Sequence, residues 1–113
     1  MSGLETGKLN RRIAIEGAGI VKNDSGDMVD GFAPLRTVWA SATPGGGRER
    51  LLSAQNAAEA PMVFRIRWSP DLADLSPADR VQYPPTSGRY YDIASVTEIG
   101  TREGIEIAAT ARA

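Results

Sequence analysis

Residues 60–71 read APMVFRIRWSPD, and their alternation decides the fold. Met62, Phe64, Ile66 and Trp68 fall on one side of an extended chain, and Val63, Arg65 and Arg67 on the other. A period of two with apolar and charged residues exchanging places is the pattern of a strand with one face buried. Arg65 and Arg67 then belong to a solvated face, or to a face that meets a partner's carboxylates.

The same pattern recurs on both sides of this stretch. Downstream, Arg80–Tyr83 reads as a short strand after a Ser76-Pro77 turn. RYYDIASVTEI (89–99) sets Tyr91 and Ile93 on one face, with Tyr90, Ala94 and Val96 on the other. GTREG is a hairpin turn, and GIEIAATARA (104–113) alternates Ile105 and Ile107 with Glu106 and Ala108. Upstream, RRIAIEGAGI places Ile13 and Ile15 against Arg12, Ala14 and Glu16. LRTVWASA (35–42) returns to strand character, with Val38 and Trp39 on opposite faces. Trp39 is either a core plug or an interface anchor, core being the commoner case. Residues 17–34 read as a long loop, because Asn23, Asp24, Ser25, Gly26 and Asp27 concentrate turn chemistry.

The stretch TPGGGRERLLSAQNAAEA (43–60) differs. Pro44 and Gly45–Gly47 break regular structure, and Arg48–Glu59 are fair helix formers with an apolar stripe at Leu51, Ala54 and Ala58. Pro61 stops the helix near Glu59. At about three turns it is marginal alone and must dock on something. The expected fold is mainly β: one small antiparallel barrel or sandwich of about six strands spanning residues 1–113, with a short inserted helix and long loops. Residues 1–9 form an arm, 17–34 a loop, and 43–60 a glycine-rich hinge plus helix.

Composition bounds the chemistry. The chain has 113 residues and neither Cys nor His, which excludes disulfides, thiolate nucleophiles, imidazole acid–base schemes and Cys/His zinc sites. Thirteen basic against fourteen acidic residues leave no cationic surplus for coating nucleic acid. No apolar run approaches the roughly 20 residues of a membrane helix. The glycines before Arg48 lack the Lys and Ser/Thr of a phosphate-binding loop, and Glu49 puts negative charge where phosphate would sit. Asp24, Asp27 and Asp30 lack calcium-loop spacing. Asp71, Asp74 and Asp79 sit in a loop with no aromatic neighbours to hold a sugar. No catalytic set, cofactor site or metal site emerges, and the expectation is a non-enzymatic protein.

The order of the motifs resembles the head–tail joining proteins of tailed phages, the head-closure or stopper family of siphovirus-like particles. The resemblance rests on Gly7, Leu9, Arg11, Arg12, Ile13 and Ile15; on Asp24-Ser25-Gly26; on Val38-Trp39-Ala40; on Gly47-Arg48-Glu49; on Ile66-Arg67-Trp68; on Asp79-Arg80-Val81; and on Gly88 to Val96. It covers about residues 7–110. Phe32 stands where the family often has Trp, and a His often found before the middle strand is missing.

The resemblance implies a virion component at the head–tail interface, assembled in the host cytoplasm, of a phage or of a gene transfer agent. It implies a homo-oligomeric ring of six or twelve copies between portal or adaptor and tail terminator or tail tube. The ring closes or gates the channel, and packaged DNA passes without sequence-specific contacts. No membrane or cofactor is involved. Ring contacts are heterologous and need apolar anchors with polar rims. On that basis Arg48, Glu49, Arg50, Leu51, Leu52 and Gln55 are expected at a subunit interface, and Asp24, Asp27 and Asp30 on a channel-facing loop. The alternatives are a tail terminator or adaptor, or a small nucleic-acid- or carbohydrate-binding barrel.

Overall fold

A computed structural model describes residues 8–45 and 61–112. The six expected strands form: β1 (Arg11–Lys22), β2 (Met28–Pro44), β3 (Pro61–Arg67), β4 (Arg80–Gln82), β5 (Tyr90–Ile99) and β6 (Gly104–Ala111). They close a barrel in the order β1-β2-β3-β6-β5-β4, with every pairing antiparallel. A 3-10 turn at Pro70–Leu72 leads into the β3–β4 connection. The helix expected after the second strand falls on residues outside those described.

The barrel is the direct consequence of the period-two pattern. Phe64 and Ile66 of β3 point inward and are fully buried, beside Ile13 and Ile15 of β1, Ala40 of β2, Val81 of β4, Tyr91 and Ile93 of β5, and Ile105 and Ile107 of β6. A six-stranded closure leaves room only for side chains, so the interior is a packed core. Phe64 is its centre: Tyr83 and Tyr91 meet it edge-on, with centroids 5.5 Å and 5.4 Å away. The outward side of β3 is polar as read, and Arg65 meets Glu106, its direct cross-strand partner on β6, at 2.8 Å.

Two bulges re-aim the chain. On β5 the register shifts between Ile93 and Ser95, so Ala94 is extra and the inward parity changes. Val96, read as facing away from Tyr91 and Ile93, therefore packs against the core opposite Ile107. On β2 the shift falls opposite Ile15 and Glu16, leaving Leu35 as the extra residue.

The barrel closes where β1 meets the short strand β4, in three residue pairs. There the Arg80 Nε donates to Glu16 Oε1 at 2.7 Å, with side chains only 17% and 14% exposed. Gln82 Nε2 donates to the other Glu16 oxygen, and Gln82 Oε1 accepts from the Gly88 amide, so this polar seam is satisfied.

Candidate assembly surface

Residues 17–34 are not a long loop. β1 and β2 stay paired from Gly17↔Ala33 to Lys22↔Met28, joined by a tight turn, and project as a two-stranded ribbon past the pairing limits of β4 and β3. The turn chemistry was real but compact. The Asn23 Oδ1 accepts from the Ser25 and Asp27 amides at 3.0 Å and 2.8 Å, and Gly26 takes φ +87°. The glycines at 17, 19 and 31 lie within strands. Gly17 receives the bulged Leu35, whose Cδ1 would stand 3.1 Å from an added Cβ.

The aspartates separate along this ribbon. Asp24 and Asp27 lie at the turn, while Asp30 is in β2, opposite Ile20. Arg48, Glu49, Arg50, Leu51, Leu52 and Gln55 lie outside the described residues. Of the β3–β4 carboxylates, Asp79 accepts from the Ala18 amide at 2.9 Å and from the Ser76 amide at 3.0 Å, and Asp71 pairs with Arg36 at 3.2 Å. Asp79 ties the β3–β4 connection to β1, while the Asp71–Arg36 pair is exposed at the surface. Among the described residues no group of His, Cys, Asp or Glu is placed to bind a metal ion.

What the sequence reading missed is the apolar character of the ribbon. Ile20, Met28, Val29, Leu35 and Trp39 are the large exposed hydrophobics among the described residues, and all five lie on β1 or β2. Trp39 is 52% exposed on the outer face, with the Arg12 guanidinium 4.9 Å from its ring. It is not a core plug. The signal was present in Ile20 and Val21 continuing β1 after Glu16, masked by the glycines between them. Ile20 and Met28 are diagonal neighbours on one face of the ribbon, and exposed apolar side chains grouped in this way suit an interaction surface.

The ribbon's base is anchored firmly. Phe32 crosses over Ala18, its small cross-strand partner, and stacks on the Arg80 guanidinium at 4.0 Å; Tyr90 stacks at 3.8 Å. Beside them Arg112 pairs with Asp92 at 2.5 Å, and the hydrogen bond to Asp92 raises the already high Arg112 pKa. Arg80 thus joins β1, β2, β4 and β5 at the point where the ribbon leaves the barrel.

A closed barrel carrying an anchored, apolar ribbon defines a class: a small β protein built for assembly. The comparisons with known proteins agree. Residues 4–112 match the family of phage head completion proteins, and the chain belongs to that family, a structural protein of phage-type particles. Solved structures that share the fold include the following two. Protein SF1141 of Shigella flexneri 2a is 22% identical, with a TM-score of 0.64 over 95% of this chain and 96% of that one. A chain in the virion of a native gene transfer agent particle is 24% identical, with a TM-score of 0.59 over 89% of this chain and 92% of that one. No curated protein matches.

Proposed function

We propose that this chain is a ring-forming component of the head–tail connector, seated between portal or adaptor and tail, which closes the DNA channel after packaging and gives the tail a docking surface. The observation that carries the reading is the family match over nearly the whole chain. The ribbon supports it, since a heterologous ring contact needs an apolar projection and a receiving surface. The arm 1–9, the ribbon within 17–34 and the segment 43–60 supply the contacts, with Arg48, Glu49, Arg50, Leu51, Leu52 and Gln55 facing a neighbouring subunit.

Deleting the gene from a particle-producing strain is the test. The expected outcome is DNA-filled heads without tails, or heads that lose their DNA. Intact tailed particles at normal yield would contradict the role.

The channel side is assigned to the ribbon tip. DNA must slide past, so the lumen should repel phosphate rather than bind it. Asp24, Asp27 and Asp30 against the single Lys22 suit that task. Replacing the three aspartates with Lys should slow ejection or alter DNA retention; unchanged retention and infectivity would count against it.

A further inference from the structure

The ribbon has two outer edges, and among the described residues nothing pairs with either of them beyond Glu16 on β1 or before Ala40 on β2. The direction of the edge groups can be read. The Ala18 amide donates away from β2, to Asp79. At the turn, the Asn23 amide donates to the Asp27 carbonyl across the ribbon. Odd residues of β1 therefore bond within the ribbon, while Ile20 and Lys22 turn their N–H and C=O outward. On β2 the residues opposite these even positions, Met28, Asp30 and Phe32, turn theirs outward on the other side.

A bare edge of this kind is a template for another strand. Natural monomers blunt such edges with proline, charge or cover. Here Gly17–Lys22 contains no proline, and its one charge, Lys22, stands at the turn end. A two-stranded ribbon is also marginal by itself in water and gains stability from a third strand.

We infer that the β1 edge of one copy pairs antiparallel with the β2 edge of the next copy, so that adjacent ribbons form a continuous sheet between subunits. The two edges suit each other. Setting Lys22 opposite Asp30 places Ile20 opposite Phe32, which matches a cation with a carboxylate and an apolar residue with a ring. In that register Pro34, which has no N–H, falls opposite Ala18, whose N–H is already held by Asp79, so the pairing ends where neither side has an orphan N–H donor. The contact is head-to-tail and propagates around a ring without a symmetric dimer. This inference rests on the ring reading above and specifies its contact.

The chain has no cysteine, so a Lys22→Cys/Asp30→Cys variant carries one new pair only. Within one ribbon these positions are diagonal, about 7–8 Å apart, beyond disulfide reach. Particles assembled with this variant should give, on oxidation and non-reducing electrophoresis, a ladder of covalent multimers, and neither single variant should go beyond a dimer. In the same background Ile20→Pro, which removes one outward N–H from an edge that tolerates proline, should cut the ladder at least tenfold, while Ile20→Val should preserve it. Monomer bands alone, with averaged particle images still showing a ring of this chain, would overturn the edge pairing and leave the ring. Images without such a ring would overturn both.

Discussion

Arg80 carries the joint between barrel and ribbon. Its guanidinium lies between the Phe32 and Tyr90 rings and bonds Glu16, with little solvent on either side chain. Truncating one member of such a pair leaves the other charge buried. Arg80→Ala should therefore cost about 3 kcal/mol in urea unfolding, and a loss under about 1 kcal/mol would rank it with screened surface pairs. Phe32→Leu keeps apolar bulk but loses the cation–ring contact, and should cost about 1 kcal/mol. Phe64, fully buried beneath two tyrosines, has nothing polar to lose. Phe64→Ala should cost about 3–5 kcal/mol through the cavity it leaves, with no specific effect on the ribbon.

At the scale of elements, the strands were legible wherever one face is buried and the other wet. β3 and β6 follow their alternation residue by residue, because both lie wholly within the barrel wall. Legibility failed where geometry departs from period two. Val96 changed sides because Ala94 bulges, and no residue type announces that shift. The ribbon failed for another reason. Outside the barrel it has no core to impose alternation, so its glycines and aspartates looked like loop. The sequence drew attention to the aspartates of the turn, whose channel-facing role is a proposal, while the apolar residues flanking them went unread. The ribbon's order hangs on its turn. Asn23→Ala removes two side-chain acceptances and should cost about 1 kcal/mol. Amide exchange at Ser25 and Asp27 should accelerate while Phe64 and Ile107 remain protected; uniform acceleration would mean the turn stabilises the whole barrel.

For the whole molecule, a closed barrel has no use for further strands, yet the molecule extends 49 Å along its longest axis and a two-stranded ribbon runs beyond the barrel wall. The barrel supplies rigidity, Arg80 fixes the ribbon's departure, and the ribbon offers apolar side chains and unpaired edges to whatever stands beside it. That division of labour suits a protein that acts by assembling at the particle's head–tail junction. An averaged electron-microscopy map of that junction tests it most directly. Copies of this barrel should stand in a closed ring around the channel, with each ribbon against its neighbour and its aspartate turn toward the lumen. A map that places the chain elsewhere, or that leaves the arm, the ribbon and segment 43–60 all facing solvent, would contradict it.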